Sequence, residues 1–154
     1  PVVVPKDVTL RLQPGTRVVS HSHTMGDWED DATQRVEGHD LHFFLIPANV
    51  TGTWEFTEQN GRRISLALTQ KFQRVKGSFS VGTEAYPLTE VSLRGTRLRF
   101  AVERLVRGTW EPFFFEGLVS GNTITGRISS SGTGKMAQPW QATRDPSTVI
   151  PIAE

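Results

Sequence analysis

From Thr51 onward the chain alternates apolar and polar positions with a period of two, the mark of a strand whose side chains point to opposite faces. Thr53–Thr57 leads into Gln59-Asn60-Gly61, and Asn-Gly suits the paired positive φ angles of a type I′ hairpin turn. In Ile64–Gln70, Ile64, Leu66 and Leu68 point one way while Ser65, Ala67 and Thr69 point the other. Val75–Val81 repeats the pattern and Leu88–Leu93 follows. A Gly95-Thr96 turn then leads to Leu98, Phe100 and Val102, alternating with Arg97, Arg99, Ala101 and Glu103. Phe113–Val119 meets Ile124–Ile128 through Ser120-Gly121-Asn122, and Pro139–Thr143 supplies a closing strand. No window longer than about ten residues carries the apolar stripe of an amphipathic helix.

These eight segments recur at the spacing of roughly 8–12 residues typical of an all-β sandwich or barrel. The expected fold class is all-β: an antiparallel, up-and-down barrel of about eight strands, of the lipocalin or avidin type, over residues 51–144. Closure removes the exposed sheet edges that invite aggregation. Glycines at 77, 95, 117 and 126 fit places where strands bend or crowd. Residues 1–50 follow another pattern. Val8–Leu12 and Arg17–Ser20 read as strands around Pro14-Gly15, and His21 to Gly38 as a long polar loop. Leu41–Ile46 is a continuous apolar run, suited to a strand buried on both faces. The change near Asn49 divides the chain into an N-terminal β arm (residues 1–50), the barrel (51–144) and a tail (145–154).

Composition works by exclusion. Seventeen Lys and Arg against sixteen Asp and Glu leave a net charge of +1. No global field draws the chain to nucleic acid or anionic lipid, and neither partner is expected. The absence of cysteine removes disulfides, thiolate metal sites and Cys nucleophiles, and fits a reducing, cytoplasmic setting. No apolar run approaches the ~20 residues of a membrane span, and residues 1–20 lack the pattern of a signal peptide. The chain starts at Pro1 without a Met, so a processed or excised piece is expected.

Several residues are candidates for chemistry. If Arg17–His23 is extended, His21 and His23 share a face and are able to meet one metal ion, with His39 and His42 nearby in sequence. Gly15, His21, His23 and Gly38 resemble the first metal motif of cupins, but the acid is badly spaced and no second motif follows. Solvated loop histidines are the plainer reading, so no metal is expected; His21 and His23 are the pair if there is one. Glu55, Glu58, Glu111 and Glu116 raise a glycosidase-like carboxylate pair against the commoner case of acids on wet strand faces. There is no Gly-x-Ser-x-Gly turn, dinucleotide fingerprint or phosphate loop. Trp54, Trp110 and Trp140, with the phenylalanines, either line a cavity for a small apolar ligand or fill a narrow barrel. The filled core is favoured. Arg62, Arg63, Lys71, Arg74, Lys76, Arg94, Arg97, Arg99, Arg104 and Arg107 make the middle of the barrel basic. A basic, aromatic β surface suits single-stranded nucleic acid, whereas scattered strand arginines ordinarily serve solubility.

Pro14-Gly15-Thr16-Arg17-Val18-Val19-Ser20-His21, then Met25-Gly26-Asp27-Trp28, then Leu41–Ala48, together resemble a group of bacterial S-adenosylmethionine-dependent methyltransferases. There a "PGTRVVSH" stretch forms a late strand of a Rossmann-like sheet, an "MGDW" loop follows, and a buried strand ends in "IPA" or "VPA". A β-rich extension comes next, between a "GTW" motif, here Gly52-Thr53-Trp54, and a "W-x-A-T-R" motif, here Trp140–Arg144. The resemblance spans roughly residues 10–144. It implies that His21, Asp27 and Trp28 serve catalysis in an intact parent. It also implies S-adenosylmethionine as the parent's cofactor, held by a Gly-rich strand-turn-helix unit and an acid that this chain lacks. The expectation is therefore the C-terminal portion of a methyltransferase-like protein, catalytically silent alone and without cofactor. Its expected partners are a small ligand or a missing N-terminal domain, with oligomerisation through the β arm as a further route.

Overall fold

The computed structural model describes residues 12–21, 28–130 and 137–152. β1 (Arg17–His21), β2 (Ala32–Val36) and β3 (His39–Leu45) form a small antiparallel sheet in the order β1-β3-β2. Nine further strands form the main sheet: β4 (Gly52–Thr57), β5 (Arg63–Lys71), β6 (Arg74–Val81), β7 (Glu84–Pro87), β8 (Thr89–Arg94), β9 (Arg97–Val106), β10 (Thr109–Ser120), β11 (Thr123–Ser130) and β12 (Gln138–Arg144). Their order is β7-β6-β5-β4-β12-β11-β10-β9-β8. Neighbours are hairpin-linked except β4 and β12, the first and last strands, which pair with each other. The fold is all-β, an up-and-down, nearly closed antiparallel barrel, as the alternation implies.

The main sheet has one strand more than the eight expected, because one run of chain is shared between two edges. Glu84–Pro87 pairs with β6, whereas Thr89–Arg94 pairs with β9. Between them the Leu88 N–H still donates to Gly77 O at 3.1 Å. The register then slips between Thr89 and Ser92, where Glu90 takes a φ of 50°. Such a bulge bends a strand and increases its twist. Here it hands the chain from β6 to β9 and brings the two ends of the sheet together.

The positions assigned inward by alternation, Ile64, Leu66, Leu68, Leu98, Phe100 and Val102 among them, are buried. In the middle of the bore Phe56, Phe79, Phe100, Phe115 and Trp140 pack ring against ring, with centroids 4.8–6.1 Å apart. The interior is a packed core. Room for the Trp140 indole comes from Gly117, and Gly126 lies opposite Gly117 across β10 and β11. A Cβ on Gly117 would stand 3.3 Å from that ring, and one on Gly126 would collide with Glu116 O. The indole N–H donates to the same Glu116 carbonyl at 3.0 Å.

One end of the barrel is closed by residues 46–51. The Ala48 N–H donates to Gly95 O at 2.8 Å, and Gln70 brackets the segment, accepting from Val50 N at 2.8 Å and donating to Ala48 O at 2.9 Å. Arg144, at the end of β12, holds it from the other side. Its Nη1 donates to Asn49 O (2.7 Å) and Thr51 O (3.0 Å), its Nη2 to Gly121 O (3.0 Å) and its Nε to Asn122 Oδ1 (2.9 Å). Its guanidinium lies 4.6 Å from the Trp54 ring centroid, and burial pushes its pKa below the usual value. The small sheet docks at this same end, where Trp28, Phe44 and Ile46 pack around Phe72 of the β5–β6 turn.

His21 to Gly38 is not all loop: Ala32–Val36 is a strand paired with β3, and Trp28 makes a β-bridge. Thr33, Gln34 and Arg35 are exposed on that edge strand, so their polarity mimics a loop while the backbone still pairs. Leu41–Ile46 is not buried on both faces. Phe44 and Ile46 are buried, whereas Leu41, Phe43 and Leu45 remain half-open; β3 is central in its sheet, but only one face lies against the Trp28–Phe72 cluster. The expected strand Val8–Leu12 falls, except for Leu12, outside the described residues.

Two substitutions test this account. Gly126→Ala drives a methyl into the β10 backbone at Glu116 and Gly117 and is expected to cost about 1–3 kcal/mol, read as a lower urea midpoint at unchanged slope. Arg144→Met keeps bulk on Trp54 but leaves buried carbonyls without donors, at a cost of about 3 kcal/mol. A loss below about 1 kcal/mol on the same scale would remove Arg144 from its structural role.

Candidate functional site

The opposite end of the barrel, where the β4–β5 turn lies, presents a cleft. In that turn the Glu58 N–H donates to Arg62 O at 2.8 Å and the Gly61 N–H to Glu58 O at 2.9 Å. Gly61 has a φ of 85°, but Asn60 is not among the residues with positive φ. The turn is thus not the type I′ hairpin that Asn-Gly suggests, which needs positive φ at both central residues. Asn60 instead accepts the Arg62 N–H at 2.9 Å with its side chain, an Asx arrangement. This longer turn carries Glu58 over the barrel.

Arg104 meets it from β9. Leu98, Phe100 and Val102 occupy the inward phase of that strand, and the next inward position is Arg104. Its guanidinium pairs with the Glu58 carboxylate and lies 5.3 Å from the Phe79 ring centroid and 5.6 Å from that of Phe113. The two side chains are only 20% and 14% exposed, so their attraction is screened less than that of a surface pair. Around them lies a cleft of about 270 Å³, walled by Phe56, Phe113, Ile128 and Trp140 on the apolar side and reached by Gln59 and Gln138 on the polar side. Nearby, the Tyr86 hydroxyl donates to Glu84 at 2.6 Å, which raises its pKa. Among the described residues this is where an apolar wall, an aromatic group and a half-buried charge pair converge. The alternation holds the signal for it, a charge on the inward phase of β9.

The residues singled out from sequence are dispersed. Trp140 lines the cleft. Trp54 is fully buried beside Arg144, with its N–H donating to Val50 O at 2.9 Å. Trp110 is 58% exposed and meets Tyr86 edge-on at 6.3 Å. Trp28 is buried against Phe44 and Phe72, and its N–H has no acceptor among the described residues. The backbone of His21 pairs with Leu41, while Asp27 and His23 lie outside the described residues. His42 Nδ1 sits 3.1 Å from Asp30 Oδ2, and among the described residues no three potential metal ligands cluster. The sole helical element described is the 3₁₀ turn Pro146–Thr148.

The outer wall carries a second charged feature. Glu116 pairs with Arg97 (3.7 Å) and Arg99 (3.4 Å) and lies opposite Arg127. Arg94 stands directly across from Arg97. These side chains are exposed, so solvent screens both attraction and repulsion. A depression of about 400 Å³ beside them is more open than the mouth cleft. Because Glu116 points outward among arginines and Glu58 is held by Arg104, these two acids are not a facing pair.

No protein-family description, curated protein or solved structure matches this chain.

The charge cluster in the small sheet yields a pH prediction. Hydrogen bonds from Thr33 and then His42 hold the Asp30 carboxyl below the usual carboxylate range. A pKa lowered by folding stabilises above the unfolded value and is lost as pH falls through the folded one. Wild-type protein should therefore lose thermal stability as pH drops below about 4. Asp30→Asn should show a shallower acid limb in the same melting series. Parallel wild-type and variant curves there would contradict the assignment.

Proposed function

We propose that this chain is a non-catalytic binding module whose barrel takes a small ligand at the open mouth beside Arg104. The observation that carries the reading is the contrast between the two ends. Residues 46–51 close one with a set of hydrogen bonds to Gln70 and Arg144, while the other opens on a cleft with an apolar wall and a few converging polar groups. Concave, largely apolar sites with a few oriented polar groups are the usual form of small-molecule sites. The aromatic plug at mid-bore leaves no channel for a long chain. The ligand is small, below the lower end of drug-sized cavities at roughly 300 Å³, and it rests on Phe56, Phe113, Ile128 and Trp140. The likeness to lipocalin- or avidin-type barrels is one of binding at a barrel end.

Amide chemical-shift mapping against a library of small aromatic and aliphatic compounds tests this. Hits should move residues 56–60, Phe113 and Trp140, and leave residues 46–51 unchanged. A library that moves only the arginine face, or moves nothing, would sink the proposal.

A second reading concerns origin, and one observation favours it. Among the described residues β1 lies at the edge of its sheet, and its Val19 is 56% exposed, as suits the last strands of a larger methyltransferase-like sheet. His21, Asp27 and Trp28 would act only in such a parent, with S-adenosylmethionine held by a preceding domain. An open frame upstream of Pro1 encoding a Gly-rich strand-turn-helix supports this reading. Methyl transfer by the present chain alone refutes its silence.

A further inference from the structure

We propose that the mouth cleft selects ligands bearing a carboxylate, with Arg104 as the anion receptor and Glu58 as its internal competitor; the inference rests on the mouth being the binding site. Arg104 offers five N–H donors in a planar fork suited to a carboxylate. Among the described residues one acceptor engages that fork, Glu58 Oε1 through Nη1. The faces of Phe79 and Phe113 near the guanidinium stabilise the cation without using any donor. A half-buried arginine is therefore held in place by its rings and its one carboxylate, with most of its hydrogen-bonding capacity unspent, at the edge of a cleft.

Leaving such a cation unpaired is costly, and Glu58 meets that need. Its place on the β4–β5 turn matters, because Gln59, Asn60 and Gly61 beside it are all exposed and the turn borders solvent. When a ligand carboxylate takes up the fork, Glu58 is free to swing toward solvent and the guanidinium keeps a negative partner. The exchange replaces a contact made through Nη1 alone with a two-pronged one, which is the stronger geometry, and the apolar body of the ligand adds its contact with Phe56, Ile128 and Trp140. Selectivity comes from the charge. A neutral ligand of the same shape gains the same wall but nothing from Arg104. The class named is a small aromatic or branched monocarboxylate, and inorganic anions, lacking the apolar body, bind weakly.

The experiment compares benzoate, phenylacetate and neutral benzamide by calorimetry and amide chemical-shift mapping on wild-type protein, Glu58→Gln and Arg104→Gln, each first checked for a cooperative melt. Arg104→Lys is the fallback if Arg104→Gln does not fold, since it keeps the charge and loses the fork. The expected results are at least tenfold preference for the carboxylates over benzamide in wild type, at least threefold tighter carboxylate binding in Glu58→Gln, and loss of the preference in Arg104→Gln or its marked reduction in Arg104→Lys. Benzamide binding at the mouth as tightly as benzoate, or carboxylate affinity indifferent to Arg104, overturns the carboxylate receptor and leaves the mouth reading intact. Shifts confined to the Arg94, Arg97 and Arg99 face, or absent with all three probes, overturn the mouth reading itself.

Discussion

The barrel depends on how its first and last strands are joined, and that join is thin. β4 and β12 share two paired positions, Thr143 with Glu55 and Arg144 with Trp54, whereas β10 and β9 share ten. Two ladder pairs alone give a weak seam. Arg144 makes up the difference by linking β12 to the crossing segment through Asn49 and Thr51, and to the β10–β11 turn through Gly121 and Asn122. Trp54 supplies the ring beneath it. A buried guanidinium surrounded by carbonyl oxygens has no carboxylate partner among the described residues, yet four of its five N–H groups donate to them. That satisfies the requirement that buried polar groups be hydrogen-bonded. The C-terminal residues add a second tie, since Ile150 O accepts from Asn49 Nδ2 and Thr51 Oγ1.

This closure decides where a site can lie. The closed end is dense with hydrogen bonds and has the small sheet docked against it through Phe72; the bore is blocked by aromatic rings. What remains is the other mouth. There the hairpin turns stand around a cleft, and the charge pair at its rim is shielded enough from water to matter energetically. The same arrangement explains why the three tryptophans do not act together. Trp54 belongs to the closure, Trp140 to the plug and one wall of the cleft, and Trp110 to the β9–β10 hairpin beside Tyr86.

The barrel was legible because one face of each strand must be buried, and that imposes period-two alternation on the sequence. Ile64, Leu66 and Leu68, or Leu98, Phe100 and Val102, name their strand and its inner face without further information. Two kinds of feature escaped. Edge strands need backbone partners more than apolar side chains, so Thr33-Gln34-Arg35 in β2 reads as loop. Strand switching leaves little trace in the alternation, because Leu88 alone separates Glu84–Pro87 on β6 from Thr89–Arg94 on β9, and a register slip beside Glu90 completes the transfer. The Asn60-Gly61 turn escaped for a third reason: the Asn side chain bonds the Arg62 backbone, an option the dipeptide alone does not reveal.

The candidate site was half legible, and the missing half is instructive. Alternation places two arginines inside the barrel: Arg104 follows Leu98, Phe100 and Val102 on the inward phase of β9, and Arg144 follows Trp140 and Ala142 on that of β12. By phase alone the two are equivalent, each a charge on a face that ought to be apolar. Their partners separate them. Arg144 spends its fork on four backbone and side-chain oxygens drawn from two segments, so substituting it disturbs architecture. Arg104 has one acceptor among the described residues, a carboxylate on a partly exposed turn, and two aromatic faces that ask nothing of its N–H groups. An inward cation with most of its donors engaged is a fastening. An inward cation with donors to spare, beside a cleft, has the capacity to recognise something else.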